Sequence, residues 1–159
     1  MERVMANLLV LGPAGVGKSS FINSVLSISS GILKSNAYTA SHATGTVTTR
    51  LSSFRGKGGL DNVQLHDIPG LLERVNYGFN LGNLIHLIDG HVKVGYKFNP
   101  KESITESDPY FRNESIDRIN CAVFVMDATG LDNLSNLYKT KIQDIQQVLI
   151  EKGIIECQY

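Results

Sequence analysis

Apolar positions along this chain fall into short unbroken runs and longer stripes at helical spacing. The first run, residues 7–11 (N-L-L-V-L), predicts a short strand buried on both faces, as central parallel strands are. A second, residues 121–126 (C-A-V-F-V-M), predicts another strand that ends at Asp127. Phe21, Ile22, Val25 and Leu26 recur at i, i+1, i+4, i+5. That stripe predicts a helix over 18–28 with one face packed on a sheet. Leu81, Leu84, Ile85 and Ile88 predict a second helix that stops at Gly90. Leu134, Leu137, Ile142, Ile145, Val148 and Leu149 predict a third over 134–151, closed by Lys152 and Gly153.

The weaker patterns lie between these. Residues 29–47 are rich in Ser, Thr, Gly and Ala and predict a loop. Strands are expected over 48–55 and 62–66, joined as a hairpin by G-K-G-G at 56–59. Asp67-Ile68-Pro69-Gly70 breaks the second of them. Residues 91–118, with Pro100 and Pro109, are irregular and polar; a connection that long is either functional or loosely ordered. Strand, glycine turn, helix, hairpin, helix, strand, helix is an α/β order, with a mostly parallel sheet and flanking helices. One domain over 1–159 is expected, its first strand central. Ligands in such sheets sit beyond the carboxyl ends of the strands, where Gly12, Asp67 and Asp127 all fall.

Composition narrows the partners. Fifteen basic and fifteen acidic residues cancel, so no overall field draws nucleic acid or an anionic membrane, and any phosphate affinity is local. Two cysteines, Cys121 and Cys157, make no disulfide framework. Cys121, inside an apolar run, reads as a small core residue in a reducing compartment. No apolar stretch approaches the ~20 residues that span a bilayer, and the run at 8–11 is too short for a signal-peptide core. A cytoplasmic location is expected.

The chemistry concentrates at Gly12 to Ser19. G-P-A-G-V-G-K-S fits G-x-x-x-x-G-K-[ST] at every fixed position. Glycines at 12, 15 and 17 let backbone N–H groups converge on phosphate oxygens with no Cβ in the way. The helix that follows turns its positive end toward the same anion. Lys18 supplies a mobile cation for the β- and γ-phosphates, and the Ser19 hydroxyl can ligate Mg²⁺. A chance match in a chain this long has a probability on the order of 1%. The motif also sits between an apolar strand and an amphipathic helix, as a phosphate cradle requires.

Asp67, at a strand end in D-I-P-G, can hold Mg²⁺ through a water, and Gly70 can bring its N–H to a γ-phosphate. This is the pattern of a nucleotide switch, a loop held by the γ-phosphate and released without it. The loop before the second strand should supply a Mg²⁺-binding threonine. Thr44, Thr46, Thr48 and Thr49 compete, and Thr46 is favoured. The expected nucleotide-binding set is Gly12, Gly15, Val16, Gly17, Lys18, Ser19, Ser20, Asp67 and Gly70; the metal set is Ser19, Asp67 and Thr46. Leu71 stands where many small GTPases place a glutamine that orients the attacking water. Leucine neither donates nor accepts a hydrogen bond, so hydrolysis should be slow or should use another residue. His66 reads as a strand residue facing a polar neighbour, and Asp127 as a strand-end turn residue. No catalytic residue is assigned.

With these residues in hand, the sequence resembles the GTPase-like domain of the interferon-induced protein 44 family over essentially its whole length. The resemblance rests on G-P-A-G-V-G-K-S-S-F-I-N-S-V from Gly12, G-H-V-K-V-G-Y-K-F-N-P from Gly90, and D-R-I-N-C-A-V-F-V-M-D-A from Asp117. The middle stretch is the specific one, because no general phosphate-binding rule predicts Y-K-F-N-P. The resemblance implies GTP or GDP with Mg²⁺ as the ligand, and an interferon-responsive, antiviral role. GTPases normally continue, after a last helix like this one, into a strand ending in an [NT]-K-x-D-like motif that reads guanine. This chain stops at Tyr159, where that strand should be starting. The expected sheet therefore has about four strands, ordered 2-3-1-4. The 121–126 strand is left as an exposed edge open to a protein partner or to self-association, and GTP is weakly separated from ATP.

Overall fold

The structure, a computed structural model, describes residues 4–33, 48–72, 80–129 and 134–158. Its centre is β1, Ala6–Leu11, whose side chains feed two cores by strict alternation. Leu9 and Leu11 pack on one face with Ala122, Phe124, Leu84, Ile88, Ile145 and Leu149. Val10 packs on the other with Leu65, Val123, Ile22 and Leu26. Each fully buried leucine or valine contributes about 1.5–3 kcal/mol relative to exposure, so an apolar run at this position is what a two-faced strand demands.

The sheet has five strands in the order β2-β3-β1-β4-β5. β2 (Ser52–Arg55) runs antiparallel to β3 (Val63–Asp67). β3 and β4 (Cys121–Phe124) flank β1 in parallel. β5 (Ile155–Gln158) pairs in parallel with β4. The expected 2-3-1-4 order thus stands, with a fifth strand added that makes β4 interior. The edge that the sequence leaves open on β4 is covered by β5. Four residues after a helix are too short a run for periodicity to register as a strand.

α1 (Lys18–Ser30) begins at Gly17, φ 101°, and ends at Gly31, φ 66°. Both angles lie in the left-handed region that glycine occupies without strain. Ile22 and Leu26 are buried against the sheet, with Phe21 and Val25 half-buried beside them, as the stripe requires. α2 (Leu81–Ile88) and α3 (Asn136–Glu151) cover the opposite face. Asn80 caps α2 by accepting from Asn83 N–H, and Ser135 caps α3 by accepting from Tyr138 N–H.

One further expectation changes, and one alternative is decided. The strand placed over 48–55 begins only at Ser52, because residues 49–51 pair instead with 95–98. The 91–118 connection is not loosely ordered: it buries Val92, Tyr96, Phe98 and Ile104 in the α2–α3 core. Its spacing is neither 2 nor 3.6, so no periodic signal announced that burial.

Candidate functional site

The carboxyl ends of β1 and β3 bring together Gly12–Ser19 and Asp67–Leu71. Gly12 (φ 143°) sits against the end of β4, where an added Cβ would lie 2.1 Å from Val125 O. Gly15 (φ 82°) has no described residue within 4 Å of its Cβ position, so the loop is open there, as an anion cradle needs. Gly17 sets the turn into α1. Val16 packs on the α1-side core and Ser20 is exposed in the first turn of α1. Val16 therefore offers a ligand only its backbone.

Lys18 is buried and folds back over its own loop. Its Nζ donates to Pro13 O at 2.9 Å and Gly12 O at 3.3 Å. Burial lowers its pKa, and the nearby Asp67 charge opposes that shift. Ser19 Oγ donates to Asp67 Oδ2 at 2.9 Å. The other oxygen, Oδ1, is buried and finds no hydrogen-bond partner among the described residues. Burial pushes the Asp67 pKa up, against weaker opposing help from Ser19, Lys18, the Thr48 hydroxyl and Ile68 N–H. Thr48 stands beside the carboxylate without closing a well-aligned bond to Oδ1. An orphaned, desolvated carboxylate oxygen next to a serine hydroxyl is a costly arrangement by itself. It suits a hard, oxygen-seeking cation such as Mg²⁺, so these residues fit that ion.

Gly70 and Leu71 lie directly on the phosphate loop. Leu71 N–H donates to Gly12 O at 3.0 Å and Ala14 N–H to Leu71 O at 3.1 Å. A Cβ on Gly70 would lie 2.4 Å from Ala14 Cα, so only glycine allows this approach. The Leu71 side chain is buried in the α2–α3 core, facing away from the loop. Lys141, from α3, donates to Leu72 O at 2.7 Å and ties down the same segment.

Thr46 lies outside the described residues. Of its competitors the structure brings Thr48 to Asp67. Position relative to the 49–51 pairing could have ranked it, had that pairing been legible. His66 is buried, with Nδ1 2.7 Å from Ser53 Oγ and Nε2 3.1 Å from Asn7 Oδ1. Burial lowers its pKa to about 4, so it is a neutral strand residue between polar neighbours. Asp127 caps its own turn, accepting from Thr129 N–H and Oγ1 at 2.9 and 2.6 Å. Neither belongs to the cradle.

A parallel β3-β1-β4 sheet, with a lysine-bearing glycine loop after β1 and a carboxylate at the end of β3, defines the P-loop nucleoside-triphosphate-binding class. The profile of the family described as "50S ribosome-binding GTPase" matches residues 7–155. Interferon-induced protein 44 of Homo sapiens is 32% identical over 154 residues, and that of Mus musculus 33% over 153. Interferon-induced protein 44-like of Homo sapiens is 31% identical over 153 residues. These alignments cover 92–93% of this chain and 34–36% of the relatives, so the chain spans about a third of their length. The chain belongs to the GTPase family and, within it, to the interferon-induced protein 44 group. Among the described residues no helix is long and apolar enough to cross a membrane.

Proposed function

We propose that this chain is a guanine-nucleotide-binding switch domain with slow or absent hydrolysis, acting in the cytoplasm within an interferon-responsive defence protein. The observation that carries the reading is the buried Lys18 inside an open glycine loop, facing a desolvated Asp67 with one oxygen unpartnered among the described residues. Backbone N–H groups from Gly15 to Ser20 and the α1 N-terminus receive the phosphates. Lys18 exchanges its two backbone carbonyls for phosphate oxygens, so its charge is already in place and little is spent on ordering it. Ser19 and Asp67 hold Mg²⁺, which when bound neutralises phosphate charge. Gly70, pressed on Ala14, is where the loop detects a γ-phosphate. Ala14 N–H leaves Leu71 O only if something better accepts it, so triphosphate and diphosphate should set this contact differently. The orientation of Leu71 supports weak turnover, because its side chain fills the core and brings no polar group to an attacking water.

Calorimetry with GDP, GTPγS and ATPγS, with and without Mg²⁺, tests the reading on the parent and on Lys18→Ala. A charge-assisted hydrogen bond is worth roughly 1.5–3 kcal/mol, so the variant should lose about ten- to a hundredfold in affinity. Equal GTPγS binding by the two proteins would remove Lys18 from the cradle. Preference for ATPγS would move the chain to adenine nucleotides.

A further inference from the structure

The stretch that no phosphate-binding rule predicts, Y-K-F-N-P, has a definite place. Gly95 N–H donates to Leu51 O at 2.8 Å, Leu51 N–H to Tyr96 O at 2.9 Å, and Phe98 N–H to Thr49 O at 3.1 Å. Arg50 Nη1 adds a bond to Gly95 O at 2.9 Å. These make a short antiparallel ladder that starts one residue after Thr48.

The far side of the ladder is held from α2. Asn83 is fully buried and fills all four of its hydrogen-bonding positions. Its Nδ2 donates to Asn99 O and Glu102 O, both at 3.2 Å. Its Oδ1 accepts from Ile104 N–H at 2.7 Å and from the Tyr96 hydroxyl at 3.3 Å. A buried amide with every position satisfied fixes one geometry, since any shift leaves a desolvated polar group unpaired. Ser103 Oγ also donates to Asn80 Oδ1 at 3.1 Å, and a Cβ on Gly82 would lie 2.0 Å from that Oγ. Residues 99–104 are thus pressed onto the first turn of α2.

We propose that Asn83 and Tyr96 are positioning residues for the nucleotide site. Through the 95–98 ladder they hold Thr49–Leu51 so that the Thr48 hydroxyl stays at Asp67, on the side where the metal binds. This rests on the reading of Ser19 and Asp67 as the Mg²⁺ side of a nucleotide site. The family's distinctive segment then has a function of its own, since linkage requires that whatever holds Thr48 also feels the bound metal. Nucleotide with Mg²⁺ therefore tightens the ladder, and the 99–104 surface reports the state of the site.

The test is the Mg²⁺ enhancement of GTPγS affinity, the ratio of Kd without and with the ion. It is measured for the full chain, Tyr96→Phe, Thr48→Val and the double variant. Tyr96→Phe is used because Asn83→Ala removes four hydrogen bonds at once, strands the buried Tyr96 hydroxyl and Ile104 N–H, and opens a buried site. Removing one neutral hydrogen bond from the network should cut the enhancement about three- to tenfold. In the Thr48→Val background Tyr96→Phe should cut it no further, because the route runs through Thr48. Hydrogen exchange should show the Leu51 and Phe98 amides gaining protection on addition of Mg²⁺ and GTPγS in the parent, and not in Thr48→Val. Independent losses in the double variant, or an unchanged enhancement in Tyr96→Phe, overturn the inference and leave the nucleotide reading standing. A parent that binds no GTPγS, or binds it without enhancement, removes both.

Discussion

Replacing Gly70 with alanine would put a Cβ 2.4 Å from Ala14 Cα, 2.5 Å from Ala14 N and 2.9 Å from Ala14 Cβ. Carbon atoms at ease stand about 3.5–4.0 Å apart, so the two backbones must separate by about 1 Å or more. The two hydrogen bonds that join them, Leu71 N–H to Gly12 O at 3.0 Å and Ala14 N–H to Leu71 O at 3.1 Å, have no slack for that. Each is worth about 0.5–1.5 kcal/mol net, so their loss costs about 1–3 kcal/mol. With a urea m-value of about 1–3 kcal/mol per M, the midpoint should fall by about 1 M. Urea denaturation of the nucleotide-free protein reads this directly. Gly59→Ala is the control: nothing lies within 4 Å of its Cβ position, and a surface change of that kind stays within about 0.5 kcal/mol. If Gly70→Ala unfolds at the midpoint of Gly59→Ala, the contact between the D-I-P-G turn and the phosphate loop does not exist in solution.

Leu71→Gln should cost about 1–3 kcal/mol by burying an amide in the α2–α3 core. It should leave single-turnover GTP hydrolysis no faster than the ~10⁻⁴ s⁻¹ of unassisted GTPases; a large gain in rate would show that the side chain reaches the nucleotide. Asp67→Asn should raise the urea midpoint at neutral pH. Burial raises the Asp67 pKa in the fold, so its ionised form costs stability, and that cost fades as falling pH protonates it. The variant should also lose Mg²⁺ enhancement, and a neutral-pH midpoint below the parent's would contradict the assignment. His66 carries the opposite sign. The fold keeps the imidazole neutral, with its pKa lowered from 6.5 to about 4, while the unfolded chain takes up the proton. Stability should therefore fall across that window, by about 3 kcal/mol at most, and His66→Gln should flatten the profile. A parent and a His66→Gln variant with the same pH profile between 6.5 and 4 would refute this.

The chain's linear order carried a good deal of this. An apolar run, a glycine loop ending in Lys18-Ser19 and an amphipathic stripe lie within one short stretch, and each is a local property. Local sterics and burial settle them before anything distant is placed. D-I-P-G belonged to the same class of signal, because a strand-ending Asp and a glycine turn are readable without knowing their neighbours. So the α/β class, the central place of β1 and the meeting of Ser19 with Asp67 were all available from the sequence.

Tertiary structure alone decided the rest, and each instance is a contact between segments far apart in the chain. β5 is only four residues long, and its place beside β4 follows from backbone pairing with a distant partner. Thr48 stands beside Asp67 because residues 49–51 pair with 95–98, a ladder with no periodicity of its own. The apolar stripe that announces α2 says nothing of Asn83, yet Asn83 is buried and satisfied by four groups from residues 96–104. Leu71 turns inward because Gly70 can touch Ala14. Hydrophobic spacing reports which residues need burial. It is blind to which backbone amide ends opposite which carbonyl, since that is fixed only when loops close and segments remote in sequence meet.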